Sequence, residues 1–376
     1  MPATTKKVPF LDLKAQYLAI RPEIDAAVAR VIGNTSFILG PEVEAFEREF
    51  AAYSGFRHVV GVANGTDALV LIMRAMGLAP GFEAVAPAHT FMATTEAVTQ
   101  AGGRPTLCDV DATTFCMTAE TLERAWTPAT RVVLPVPIYG NPAGLDGVLD
   151  AARRRGVATI VDCAQGHGVR VNGRRLGELA DVASYSFFPG KNLGAYGDAG
   201  AVATNDDALA AKVRMWRNHG REGKFDHQFE GVNSRLDALQ AAILRAKLPH
   251  LTDWSAGRRR VARLYREALS GIPGLRLPEE TEGAEHVYHV YVVRVADREG
   301  VRAALEERGV ATGVHYPLPV HLLPAYAYLG LRRGSFPTAE AICDTILSLP
   351  MFPEMTAEDV HYVADALRGV LEGRAA

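Results

Sequence analysis

Ala158-Thr159-Ile160-Val161-Asp162-Cys163-Ala164-Gln165 is a short apolar run that stops on a carboxylate. Such a run reads as a strand buried on both faces, which sets Asp162 at its C-terminal end. Similar runs recur on either side: Ala84–Ala86, Pro105–Val110, Val132–Ile138, Val182–Phe187 and Gly200–Ala203. Helical patterns, Thr94–Ala101 and Leu145–Gly156, stand between several of them. Upstream, Pro41–Gly55 carries Pro in its first turn, a Val43/Phe46/Phe50 stripe and a closing Gly. Asp67–Met76 reads as a second helix, entered through Asn64-Gly65-Thr66. Strands alternating with helices predict an α/β domain whose mainly parallel sheet is covered on both faces. In open sheets of that kind, ligands bind off the carboxyl ends of the strands.

Farther along, Ser234–Leu269 is rich in Ala, Leu and Arg and keeps helical periodicity on both sides of Pro249. It reads as a connector leaving the large domain. A Pro/Gly-rich stretch, Gly271–Gly283, follows it. The remainder reads as a smaller α+β unit: strand Val287–Val295, helix Arg298–Arg308, a strand near Thr312–Tyr316, and helices Thr338–Ser348 and Ala357–Leu371. A chain of 376 residues is long for a single core. The expected division is residues 1–250, a large domain with an N-terminal arm, and residues 251–376, a small C-terminal domain.

Apolar residues make up 48% of the chain and charged residues 22%, the balance of an ordinary globular protein. With a formal charge of −3, the molecule as a whole attracts neither nucleic acid nor an anionic membrane. Two basic clusters, Arg153-Arg154-Arg155 and Arg258-Arg259-Arg260, are expected on solvated helix faces. The four cysteines (Cys108, Cys116, Cys163 and Cys343) form no CxxC pair, which fits free thiols in a reducing compartment. The opening, Met1–Lys14, lacks the apolar core of a signal peptide. No apolar run reaches the ~18 residues of a membrane span. Cytoplasm is the expected compartment.

Four features carry chemistry. A buried Asp162 needs a partner, because an unpaired buried carboxylate is costly. A protonated pyridine nitrogen would serve, since the ion pair keeps the ring an electron acceptor; a helix cap or a salt bridge would also satisfy it. In Ser184-Tyr185-Ser186-Phe187-Phe188-Pro189-Gly190-Lys191-Asn192-Leu193-Gly194, a strand leads through a Pro-Gly turn to a lone lysine. A lysine desolvated beside a cofactor can form a Schiff base, although a surface lysine after a turn is the commoner case. This is no P-loop, which needs Gly where Tyr185 stands and Ser or Thr where Asn192 stands. At Asn64-Gly65-Thr66-Asp67, the N–H groups of a helix start and the Thr66 hydroxyl can hold a phosphate, or Asn64 and Thr66 simply cap the helix. Phe91, in Ala88-His89-Thr90-Phe91, either stacks on a flat ring or joins the core. A metal site at the spaced pairs His286/His289 and His315/His321 is not expected. A three-residue spacing on a strand puts His286 and His289 on opposite faces, and no thiolate or carboxylate stands at ligand spacing.

Taken in this order, these residues resemble the nucleotide-sugar aminotransferases, enzymes of the aspartate-aminotransferase fold (fold type I) that use pyridoxal 5'-phosphate (PLP). The likeness runs over nearly the whole chain. It starts at Pro9-Phe10-Leu11-Asp12-Leu13-Lys14 and passes through Ile38-Leu39-Gly40-Pro41, Asn64-Gly65-Thr66-Asp67-Ala68-Leu69 and Ile138-Tyr139-Gly140. Asp162-Cys163-Ala164-Gln165, Pro189–Gly194, Gly231-Val232-Asn233-Ser234-Arg235-Leu236-Asp237 and His315-Tyr316-Pro317 complete it.

The resemblance implies that Lys191 holds PLP covalently and Asp162 pairs with its ring nitrogen. Gln165 would contact the ring hydroxyl, Phe91 would stack on the ring, and Gly65, Thr66 and Ser186 would hold the phosphate. The partner subunit's Asn233 would reach that phosphate, making the site a property of a homodimer. Arg235, Tyr316 and His321 would face the substrate. Glutamate is the implied amino donor, and the implied acceptor is a keto group, leaning to carbon 3, of a nucleotide-linked deoxysugar. Cys163 stands where Ala is frequent in the family, and Gly190 where Thr or Ser is frequent; neither removes a required group. Some relatives are sugar dehydratases with histidine in place of the lysine, so Lys191 argues for transamination. A keto-cyclitol acceptor, or a non-catalytic member that binds PLP for regulation, remains the alternative.

Overall fold

The computed structural model describes residues 6–375; the first five residues and residue 376, the extremes of the two expected domains, lie outside the described residues. One twisted sheet organises the large domain. Arg104–Cys108, Glu83–Pro87, Thr130–Val133 and Ala158–Thr159 pair in parallel, in that spatial order. The run continues across Ile160, whose N–H reaches the Val133 carbonyl, into Val161–Asp162, which pairs in parallel with Val182–Ser186. Gly200–Thr204 and His58–Val62 then close the sheet, each antiparallel to its neighbour.

Most inner strands of this run are largely apolar because helices cover both faces, although Thr130–Val133 keeps an exposed Arg131. One apolar cluster lies under the helices Gly65–Ala75, Met92–Gln100 and Asp207–Trp216; another lies under Pro41–Ser54 and Ala238–Lys247. The expected helix Pro41–Gly55 ends at Ser54, with Gly55 in the left-handed region at φ 83° as its C-cap. Three elements gave no clear signal in the sequence. His58–Val62 is short and contains Gly61, where a Cβ would lie 2.7 Å from the Leu236 side chain. The helix Arg21–Asn34 buries only Ile24, Ala27 and Val31, a stripe too narrow to stand out. Asp207–Trp216 is capped by Asp206, which accepts from the Ala208 and Leu209 N–H groups.

The C-terminal part departs from expectation in detail. Val287–Val295 is a strand only over Tyr291–Arg294, and Thr312–Tyr316 contributes a single bridge, Gly313 to Ser348. The helix expected over Thr338–Ser348 runs Pro337–Thr345 and gives way to a strand, Ile346–Leu349, antiparallel to Tyr291–Arg294. The reason is tertiary: Tyr291, Val293, Leu347 and Leu349 point into the C-terminal core, while Val292 and Ile346 point into the core under the large sheet. A strand buried on both faces looks like an apolar helix end in sequence.

Helix Leu251–Leu269 joins the two parts, with Leu251 in the large-domain core and Val261, Ala262, Tyr265 and Leu269 in the C-terminal one. Val8, near the start of the chain, also packs in the C-terminal core and exchanges hydrogen bonds with Gly309 and Ala311. Arg258 corrects the expectation of a solvated basic face. It is buried, and its Nη1 donates to the Tyr288, His289 and Met351 carbonyls. Among the described residues, no helix is long and apolar enough to cross a membrane.

Candidate active site

A cleft of about 790 Å³ opens at the carboxyl ends of the central strands. Asp162, the last residue of its strand, forms part of the floor. Its Oδ2 accepts from the Thr94 hydroxyl at 2.8 Å and its Oδ1 from the Ala164 N–H at 3.1 Å. Thr94 in turn shares a 2.8 Å hydrogen bond with Thr90, one helical turn away. Burial raises the Asp162 pKa; the Thr94 and Ala164 bonds and the charge of Lys191 oppose the rise. The carboxylate thus has neutral donors on both oxygens and, among the described residues, no direct ion pair to offset its burial; Lys191 acts on it only through space.

Lys191 lines the same cleft. It follows the strand Val182–Ser186 through a tight loop in which its own N–H reaches the Phe188 carbonyl and the Ala195 N–H reaches the Phe187 carbonyl. Burial lowers its amine pKa to about 8, against the pull of Asp162. The sequence had placed these two groups 29 positions apart by number alone; the fold turns both into one pocket.

Beyond them, the start of helix Gly65–Ala75 faces the cleft. Asn64 caps it by accepting from the Asp67 N–H at 2.8 Å, which leaves the Gly65 and Thr66 N–H groups to an anion. The cap reading thus holds for Asn64, while Gly65 and Thr66 line the cleft. Glycine is required at 65, since a Cβ there would lie 2.7 Å from the Ser186 Cβ. Ser186 also lines this end. Ser234 steadies the cradle: its hydroxyl donates to Asp67 at 2.6 Å and accepts from the Ala63 N–H. Among the described residues, Lys191 is the only lysine or arginine lining the cleft, which Asp67 and Asp198 also line.

The facing wall comes from less regular chain. Phe91 is 54% exposed, with its ring 5.2 Å from that of Tyr316. Gln165 is fixed at both ends: Oε1 accepts from the Tyr139 N–H at 2.6 Å, and Nε2 donates to the Tyr316 hydroxyl at 3.2 Å. Tyr139 takes φ 60°, in the left-handed region, and the Tyr139 and Gly140 carbonyls accept from His289 and Val287. His289 and His315 also line the cleft, and burial holds both rings neutral, His315 at about 4.

The expected site residues Gly65, Thr66, Phe91, Asp162, Gln165, Ser186, Lys191 and Tyr316 all line this cleft. His321 does not. It is buried elsewhere, with Nε2 2.9 Å from Glu340, because the turn Val320–Leu322 faces inward against Phe336. Its expected role at the substrate is withdrawn. Asn233 and Arg235 also stand outside their own chain's cleft; Arg235 donates to the Asn218 side chain at 3.1 Å. Sequence alone did not assign Thr94 or Ser234 to the site, and it left His289 and His315 as structural or substrate-contacting histidines. The four-residue spacing of Thr90 and Thr94 was a usable signal for the first.

Sheet, cradle, buried carboxylate and desolvated lysine together define a PLP-dependent transferase of the aspartate-aminotransferase type. More narrowly, the chain belongs to the DegT/DnrJ/EryC1/StrS aminotransferase family, whose model matches residues 18–368. It is 45% identical over 366 residues to the dTDP-3-amino-3,4,6-trideoxy-alpha-D-glucose transaminase of Streptomyces venezuelae, covering 97% of each chain. Among solved structures it is similar to S. venezuelae DesV in complex with a ketimine intermediate, with TM-score 0.95, 45% identity, and 98% and 99% of the two chains covered. It is also similar to Bacillus subtilis NtdA with bound cofactor PMP, with TM-score 0.90, 33% identity, and 97% and 85% covered.

Proposed function

We propose that this protein transfers an amino group, from glutamate, to a keto group at carbon 3 of a nucleotide-linked deoxysugar. The observation that carries the reading is the convergence of Asp162 and Lys191 on one cleft with a phosphate cradle. The residues fit PLP: the cradle takes the phosphate, and the uncompensated Asp162 takes the ring nitrogen. When bound, PLP supplies the electron sink that makes a carbanion at the amine-bearing carbon accessible.

The chain's own residues do the rest. Asp162 holds a proton on the ring nitrogen. Lys191, an amine brought near neutrality by burial, takes the proton from the donor's α-carbon and returns it, as general base and then acid. Gln165, with Oε1 tied to Tyr139, presents its N–H to the ring oxygen. Phe91 covers the ring face, and Tyr316 meets the substrate. The intact lysine and carboxylate favour catalysis over a purely regulatory role. Similarity to a 3-amino-sugar transaminase over 97% of the chain favours a sugar over a keto-cyclitol.

A homodimer completes the site in this reading. Among the described residues, Lys191 is the one lysine or arginine lining the cleft, and Asp67 stands in the first turn of the cradle helix; a phosphate dianion there calls for further donors from elsewhere. The partner subunit's Asn233 is the residue assigned to that phosphate, and Arg235 faces the substrate. Cytoplasm is the proposed compartment.

The test is direct. The PLP-loaded enzyme is incubated with glutamate and a panel of dTDP- and UDP-linked 3-keto and 4-keto sugars, and amino sugars are read by mass spectrometry. A 3-amino product supports the proposal; amination of 4-keto sugars alone overturns the carbon assignment, and no sugar product overturns the acceptor class. Mixing Lys191→Ala with Asn233→Ala subunits tests the shared site, since hybrid dimers should regain activity beyond that of either parent.

A further inference from the structure

A second, smaller cavity of about 60 Å³ lies at the junction of the large sheet with helix Leu251–Leu269, and it shares no lining residue with the cleft. Gly166 and Gly168 form part of its wall, directly continuing the turn that carries Asp162 and Gln165. Around them stand Tyr53, Arg170, Arg175, Ser255, Arg259 and Glu285.

Two observations point to a ligand. Ser255 is 4% exposed, and its hydroxyl has no hydrogen-bond partner among the described residues. Buried hydroxyls are nearly always satisfied, so something within the cavity must complete it. The second is charge. Arg175 is taken up by Glu178 at 2.6 Å and the Ala52 carbonyl, and Arg259 by Glu285 at 2.9 Å. Arg170 makes no ion pair among the described residues; its Nη1 donates to the Gly173 carbonyl at 3.0 Å. The lining therefore carries an unmatched positive charge, and the Tyr53 hydroxyl feels both Arg170 and Arg259.

We propose that this cavity binds a small tetrahedral oxyanion, phosphate or sulfate, through Arg170 and the Ser255 hydroxyl. A guanidinium offers a planar fork of donors matched to such an anion. A single water needs roughly 10–15 Å³ of such volume, so the space takes several waters or one anion of five heavy atoms. An anion, unlike water, would add a counter-charge for Arg170, whose nearby carboxylate, Glu178, is already paired with Arg175. Its contacts would brace Gly166–Arg170, the segment leading away from Gln165.

The experiment uses the PLP-loaded enzyme, whose phosphate cradle is already filled. The melting midpoint is followed against sodium phosphate, sodium sulfate, sodium acetate and sodium chloride at matched ionic strength. A saturable rise with phosphate and sulfate is expected, with at least tenfold weaker apparent affinity in Arg170→Gln and a several-fold loss in Ser255→Ala. An unchanged response in Arg170→Gln overturns the proposal, as does an equal response to chloride or acetate. So does a crystal grown in sulfate whose cavity contains waters only.

Discussion

Asp162, Gly65 and Ser186 stand where strands end or a helix begins, and Lys191 follows a strand by one tight loop. His289, His315 and Tyr316, on the opposite wall, stand on chain outside any helix or strand, positioned by bonds to other parts of the molecule. The floor is thus set by backbone ladders that also hold up the core, and the wall by individual side-chain contacts. Damage to the floor should strike the chemistry and the cofactor; damage to the wall should strike the acceptor.

The largest effect expected is at Lys191. Lys191→Ala should lower turnover by at least about 10³-fold, since it removes both the covalent hold and the proton carrier, and the visible absorbance of the lysine-bound cofactor should vanish. Normal rates would refute the assignment. Asp162→Asn keeps the size and the Ala164 bond on its one oxygen, and turns its amide N–H toward the Thr94 hydroxyl as a donor, yet loses the charge. A fall in kcat of about 10²- to 10³-fold is expected, the scale of losing one aimed electrostatic contact, with modest change in melting temperature. Gly65→Ala forces a Cβ to 2.7 Å from Ser186. Overpacking on that scale costs about 1–3 kcal/mol, so PLP affinity measured by fluorescence titration should weaken between about fivefold and a hundredfold.

The floor also carries a pH signature. In the cofactor-free protein the Lys191 amine titrates at about 8, against 10.5 for a free lysine. Across that window the unfolded chain holds a proton that the folded chain lacks, so stability rises with pH, by up to about 1.4 kcal/mol per unit. Lys247, buried against the Gly194 carbonyl and lowered to about 7, adds a slope of the same sign. Urea unfolding of the wild type against Lys191→Met cancels that common term. The stability deficit of the wild type relative to this variant should shrink between pH 8 and 10; a constant difference would show the amine is not desolvated.

The same contrast explains what the sequence disclosed. Asp162 was readable because an apolar strand leads straight into it, and Gly65 because a helix start has its own local signature. The wall was opaque. Tyr316 entered only through family resemblance, and nothing near His289 announces that its ring meets Asn192, 97 positions away. His321 misled for the same reason: a histidine beside Tyr316 in sequence points instead to Glu340 in the fold. Arg258 looked like one more basic residue on a helix, but three carbonyls from two separate segments close over it. Short apolar runs such as Ile346–Leu349 carry no period that separates strand from buried helix, so pairing with Tyr291–Arg294 decided the outcome.

Tyr139 touches both sides, which makes it the sharpest place to separate them. Its N–H fixes Gln165, the residue assigned to the cofactor ring, and any residue with an amide keeps that bond. Its hydroxyl donates to the His315 carbonyl and lies 2.7 Å from His89 Nε2. Burial holds His89 neutral, at about 4. With the tyrosine proton spent on His315, Nε2 must be the donor, and Nδ1 then accepts from the Cys343 thiol at 3.3 Å. Tyr139→Phe leaves the Gln165 bond intact, strands the His89 N–H and releases the carbonyl that precedes Tyr316. One neutral hydrogen bond is worth about 0.5–1.5 kcal/mol, so KM for the keto-sugar should rise about two- to twelvefold. PLP affinity and the single-turnover rate with glutamate should stay at wild-type values. If cofactor affinity falls with KM instead, the wall is bracing the floor, and the division drawn between them is wrong.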